Sequence, residues 1–138
     1  MLGTAVAKYK EVRVQTSTPG ELLLALYDGM FRFLNGALYC LENQQRPKGS
    51  ELITKAHAVV SELYLALDYD KSPELCERLG AVYDFSLSKL TEANVTGDPQ
   101  HIADVIRVLT PLREAWRLAV PKAAQELGQG SSWGSARS

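Results

Sequence analysis

The sequence predicts an all-α protein: an antiparallel up-and-down four-helix bundle with an N-terminal arm over 1–16, a bundle domain over 17–127 and a disordered tail over 128–138. Three observations carry this expectation. Four long segments repeat apolar residues at three- and four-residue spacing, three of them open with a capping residue followed directly by proline, and the stretches between them are short. No strand-like alternation competes with the helical pattern.

The first helix starts at Thr18-Pro19-Gly20-Glu21, a capping box with proline at the first helical position. Its stripe of Leu23, Leu26, Tyr27, Met30, Leu34, Ala37, Leu38 and Leu41 reaches Glu42. The second helix has the weaker start Ser50-Glu51 after a loop over Asn43 to Gly49, and runs through Ile53, Ala56, Val60, Leu63 and Leu67. Ser72-Pro73 opens the third, with Leu75, Leu79, Val82, Tyr83, Leu87, Leu90 and Ala93 on its stripe; Asp98-Pro99 opens the fourth, with Ile102, Val105, Leu109, Leu112, Trp116 and Val120. Short loops make successive helices antiparallel neighbours, which is the simplest way for four matched stripes to cover one another.

Two prolines interrupt the fourth helix. Pro111 removes one backbone hydrogen bond and predicts a kink near Leu109, while Pro121 predicts a second bend or the effective end. Beyond Leu127 the composition turns Gly- and Ser-rich, the basis for the tail. Residues 1–16 place Tyr9, Val12 and Val14 among Lys8, Lys10, Glu11 and Arg13, an arm that cannot build a core of its own.

Composition narrows the function classes. With 138 residues, 46% of them hydrophobic, the chain buries an ordinary core without disulfide or metal staples. Fifteen basic residues against sixteen acidic, with the signs interspersed, leave no basic stripe for nucleic acid. No apolar run approaches the ~18–20 residues of a membrane span, and no signal peptide is legible, so the expected location is cytoplasmic with no membrane insertion. Cys40 and Cys76 lie in helical segments without CxxC spacing and read as reduced, packed thiols.

The chemistry of catalysis is missing from the pattern, and the protein is read as a non-enzyme without cofactors. There is no phosphate-cradling glycine loop. Asp98-x-x-His101 resembles a fragment of a bundle metal site, but such sites need two Glu-x-x-His pairs and two further glutamates, and Asp98 is already a helix cap. His57 has no nucleophile to serve. Asp28 and Asp84 read as helix-surface carboxylates answering Arg32 and Lys89 at helical spacing.

What the pattern holds in excess is apolar surface. Leu22 to Tyr27 are apolar without a break, Phe31, Phe33 and Leu34 nearly so, and Tyr64, Leu65 and Phe85 lie beside their stripes. A helix apolar all round is covered on several sides, either by its own bundle or by a partner. From the residues alone, the reading reaches a helical protein-binding module.

A resemblance extends it. Tyr9, then Ser17-Thr18-Pro19-Gly20-Glu21-Leu22, then Leu26-Tyr27-Asp28-Gly29 resembles the flagellin-specific export chaperones of the FliS family. Leu67-Asp68, Leu79-x-x-Val82-Tyr83-Asp84-Phe85, Leu90-Thr91-Glu92-Ala93-Asn94 and Ala115-Trp116 follow in matching order, so the similarity spans residues 5 to 120. It implies a bundle that binds the disordered C-terminal segment of flagellin, prevents premature polymerisation and delivers flagellin to the flagellar type III export gate, with no cofactor. It also makes Tyr9 a gate residue whose arm, with Val14, shields a groove in the free protein. The groove is expected mainly between the second and third helices, from Leu63, Leu67, Leu79, Tyr83 and Leu87, with the fourth helix as a flank. Exposed apolar surface also admits a homodimer when the protein is free. The alternative is a helical adaptor or chaperone for another secretion substrate.

Overall fold

The computed structural model describes the chain from Thr18 to Arg137, with side chains up to Glu126. Four helices make up this stretch: α1 Pro19–Glu42, α2 Arg46–Leu65, α3 Pro73–Thr96 and α4 Pro99–Arg137. They form a ring in which α1 packs on α2 and α4, and α3 packs on the same two neighbours. The result is the antiparallel four-helix bundle that the stripes and short loops predict.

The helix starts follow the capping signals with two exceptions. Thr18 Oγ1 accepts from Glu21 N–H at 3.1 Å, and Asp98 Oδ1 accepts from Gln100 N–H at 2.9 Å, each satisfying a donor that the first turn would leave free. Ser72 makes no side-chain cap; its carbonyl instead accepts from Cys76 N–H at 2.9 Å. α2 begins at Arg46 and not at Ser50, because Pro47 sits in its first turn, where a missing N–H costs nothing. Gln44 in the left-handed region, φ 58°, makes the tight turn that allows this early start.

α3 ends on Gly97, φ 73°, whose N–H donates to Ala93 O at 2.8 Å. Arg46 lies over this glycine and donates to Val95 O at 2.6 Å, so the start of α2 caps the end of α3. Ser50 and Asn94 add a 2.6 Å bond one turn further in. At this end both the α1–α2 and the α3–α4 turns are found, so all four helices are gathered there.

α4 remains one continuous helix through Pro111 and Pro121, so Pro121 is not the end. Its backbone stays helical to Arg137, past the Leu127 boundary that composition sets for a disordered tail; once nucleated, a helix extends at the cost of fixing a single residue per bond. The arm over 1–16 lies outside the described residues.

The core is one cluster. Tyr27, Met30, Leu34, Val60, Leu90, Ile102, Val105 and Leu109 are fully inaccessible, and Phe31, Ile53, Leu63, Leu79 and Tyr83 are nearly so. Cys40 and Cys76 are free and buried. Leu34→Ala at the centre should lower the free energy of unfolding by about 3–5 kcal/mol through lost burial and a residual cavity. Gly97→Ala should cost about 1–3 kcal/mol, because alanine must take a left-handed φ with its Cβ against the Arg46 guanidinium. Urea titrations of the two variants measure both effects.

Candidate protein-binding surface

The five bundle residues expected in a groove divide into two groups. Leu63, Leu79 and Tyr83 belong to the closed core. Leu67 and Leu87 are half-buried at its edge, and Leu67 Cδ1 reaches the backbone of α3 at Gly80. Tyr9 and Val14 lie outside the described residues. Helical periodicity placed all five on the inward stripe, but it does not say which turns of a stripe the neighbouring helix seals.

Tyr83 is sealed by a specific contact. Its hydroxyl lies 2.6 Å from that of Tyr27, in the middle of the bundle, so α1 and α3 touch across the diagonal through these two oxygens. Burial raises both phenol pKa values. For Tyr27 the bond to Tyr83 and the nearby Trp116 indole offset part of the rise; for Tyr83 the neighbouring Tyr27 adds to it. The Trp116 Nε1 itself stands outside hydrogen-bond geometry, buried and without an acceptor. A glutamate at position 83 would therefore disrupt the core instead of reporting on a surface.

The accessible apolar side chains lie elsewhere. Tyr64 and Leu65 end α2, Tyr69 stands in the following turn, and Leu75 opens α3, so four large apolar residues flank one connection. Tyr69 folds back so that its hydroxyl covers Gly80, where a Cβ would come within 2.8 Å of it. Phe85, 38% exposed, shares a side of α3 with Leu75 and half-buried Val82 by helical spacing. Tyr64, Leu65 and Phe85 stood out in the sequence as apolar residues beside their stripes. Tyr69 carries no periodic signal, and the periodicity that puts Leu75 on the core stripe is right, but Leu75 lies in the first turn of α3, and α2 has already ended at Leu65.

Among the described residues, charge is arranged around the helices mostly as local pairs. Lys89 sits 3.7 Å from Glu92 and over the Phe85 ring, in place of the expected pairing with Asp84. Asp28 is not answered by Arg32. Its Oδ1 accepts from Arg113 Nη2 at 2.7 Å and Nε at 3.2 Å across to α4, with Arg117 at 3.6 Å, and Arg113 stacks 4.6 Å from the Phe31 ring centre. His101 Nδ1 comes within 3.4 Å of Glu92 but outside hydrogen-bond geometry. Among the described residues no three His, Cys, Asp or Glu side chains converge on a metal position. No described helix is long and apolar enough to cross a membrane.

A four-helix bundle that shows tyrosine, leucine and phenylalanine around the α2–α3 turn and along α3, with Tyr39, Val95 and Leu118 exposed elsewhere, has the apolar surface of a helical scaffold that binds other proteins. Comparison with known proteins gives the family: residues 2–123 match the flagellar protein FliS family, and the chain belongs to it. It is 35% identical over 112 residues to a protein named flagellar secretion chaperone FliS from Bacillus subtilis, covering 81% of this chain and 83% of that one. A Salmonella typhimurium protein of the same name is 31% identical over 115 residues, covering 83% and 85%. The fold is also that of a solved structure described as a flagellar chaperone from bacteria, with a TM-score of 0.70 and 24% identity over 86% of this chain and 97% of that one.

The buried hydroxyl pair makes a quantitative expectation. Tyr27→Phe or Tyr83→Phe alone leaves one hydroxyl buried without its partner and should cost about 1–3 kcal/mol, whereas the double variant should cost less than the sum of the two. Because both phenols are raised in the folded state, stability is complete below the unfolded tyrosine pKa of about 10 and is lost as pH rises above it toward the folded values. Denaturation midpoints between pH 9 and 11.5 should fall for the native protein, and fall less steeply for the double variant.

Proposed function

We propose that this protein is a cytoplasmic export chaperone that binds the disordered C-terminal segment of flagellin, keeps it from polymerising early and hands it to the flagellar type III export gate. One observation carries the reading beyond family membership: large apolar side chains stay exposed on a bundle whose own core is already complete. A stable monomer gains nothing from Leu65 or Leu75 in water, whereas an amphipathic segment that folds on binding gains apolar burial from both. No reacting group is needed for such a task.

The surface for that segment starts at Tyr64, Leu65 and Tyr69 and continues along the Leu75 and Phe85 side of α3. Leu67 and Leu87 form its inner edge, while Leu63, Leu79 and Tyr83 support it from beneath. Residues 1–16, joined to the bundle at Thr18, supply the arm whose Tyr9 and Val14 cover part of this surface in the free protein and leave it for flagellin. An arm that binds the free state must be displaced, and it therefore weakens the apparent affinity. The same apolar residues, left uncovered, bring two free copies together.

Calorimetric titration with a flagellin C-terminal peptide should show one-to-one binding, a negative heat-capacity change and a gain of helical circular dichroism. Leu75→Ser combined with Phe85→Ser should weaken binding about tenfold or more while the melting temperature stays near that of the native protein, since neither side chain is part of the core. Equal affinity for unrelated amphipathic peptides would replace flagellin by a different secretion substrate. Loss of affinity on deleting 1–16 would show that the arm docks onto the complex, and a gain that it only shields.

A further inference from the structure

α4 has an inner side and, among the described residues, an unpartnered outer side. Inward, Ile102, Val105 and Leu109 are sealed in the core, and Leu112 and Trp116 pack against it further along. Outward, Arg107, Pro111, Ala115, Leu118, Lys122 and Glu126 follow one another at three- or four-residue spacing, so they form one row on the helix, and every one of them is exposed. Leu118, 78% exposed, stands near the middle of the row. α4 packs on α1 and α3 and not on α2, so the row is separate from the exposed Tyr64 and Leu65 at the end of α2.

Two features of the helix identify what covers this row. The first is the length of α4. A Cβ at Gly20, in the first turn of α1, would lie 2.7 Å from Val120 Cγ1, so α1 begins level with Val120, yet α4 continues as a helix to Arg137 and exposes every side chain from Pro121 to Glu126. A helix in water with no packed face is marginal, because most helical stability comes from tertiary burial. The second is the order of charges along the row. Laid antiparallel on a second copy of itself, the row sets Ala115 against Leu118, Pro111 against Lys122 and Arg107 against Glu126, and two-fold symmetry makes each contact twice. Laid parallel, it sets Lys122 on Lys122 and Glu126 on Glu126, like charge on like. Among the described residues Lys122 and Glu126 make no ion pair within the chain, and the Arg107–Asp104 pair leaves Arg107 70% exposed, so these charges are available to a second copy.

We propose that the outer row of α4 is a self-association surface, through which two copies of this chain pair antiparallel about a two-fold axis beside Leu118. Each copy lays the continuation of its α4 beyond Val120 along the Arg107 to Ala115 stretch of the other. Leu118 leaves water at the centre of the contact, against Ala115, whose small side chain lets the two helices approach closely. Arg107 and Glu126 close both ends and fix the direction of pairing. One pair of helices is a modest interface beside the ~800 Å² per partner of a standard one, so the dimer forms as concentration rises. It uses none of the residues assigned to flagellin above and stands apart from that function.

Sedimentation velocity of the full chain at rising concentration should show the mass of two chains replacing that of one. Leu118→Asp should weaken the dimer about tenfold or more, because it brings a charge into the apolar centre of the contact twice, while the melting temperature stays near that of the native protein. Glu126→Lys should weaken it several-fold by setting lysine against Arg107, and adding Arg107→Glu to the same chain should restore it. The mass of a single chain at every concentration overturns the dimer. Leu118→Asp associating like the native protein, or Leu65→Ser dissociating the dimer where Leu118→Asp does not, overturns the surface. A doubly swapped chain that pairs no better than Glu126→Lys alone overturns the antiparallel register.

Discussion

The structure depends on the contact between the hydroxyls of Tyr27 and Tyr83. In a ring of four helices, diagonal partners are held apart by the side chains between them, and here two tyrosines cross that gap and meet at 2.6 Å. A polar pair at the centre is tolerable only if water is excluded and each hydroxyl keeps its partner. That condition fixes the axial register of α1 against α3, and the two helices between them must match it. Met30, Leu34, Leu90 and Val105 belong to the same buried cluster as the pair, and Trp116 approaches Tyr27 from α4. A slip of one turn in either helix would bury both hydroxyls unpaired, which is a stronger constraint than any single leucine contact imposes.

Much of this was legible in the sequence, and the failures share a cause. Number, direction and approximate bounds of the helices follow from periodicity and from caps such as Thr18 and Asp98, which act within one turn. The expected start of α2 falls late because Arg46-Pro47 has no capping side chain; its anchor is Val95, on a different helix. Asp28 was paired with Arg32 by local spacing, yet its partners are Arg113 and Arg117 on α4. Tyr83 and Leu75 belong to the same apolar stripe, and the lengths and offsets of the neighbouring helices help to decide that one is sealed and the other open. Local rules recover what a turn of helix determines for itself; side chains whose surroundings come from distant segments need the assembled bundle.

Membership of the FliS family and the distribution of apolar surface agree in a way that neither shows alone. The relatives place the chain among flagellar secretion chaperones, and its bundle keeps tyrosines and leucines in water near the α2–α3 turn. Conversely, the sites that look chemical in the sequence have structural uses: Asp98 caps α4, Asp28 fastens α4 to α1, and His101 sits beside Glu92 near the α3–α4 turn.

The cap that Arg46 places on α3 gives the bundle a mechanical polarity. Both the α1–α2 and α3–α4 turns lie at that end, and Arg46 with Ser50 stitches α2 to α3 there, whereas among the described residues the opposite end has one covalent turn, between α2 and α3, and the Asp28–Arg113 contact between α1 and α4. Helices stitched at one end and more loosely joined at the other behave as levers. A tilt of about 5° at the stitched end carries a point about 30 Å away, some twenty residues along a helix, through about 2–3 Å. That displacement is comparable with the radius of a side chain, so a tilt small enough to spare the Arg46 cap would be felt most at the end where Leu65, Tyr69 and Leu75 stand exposed.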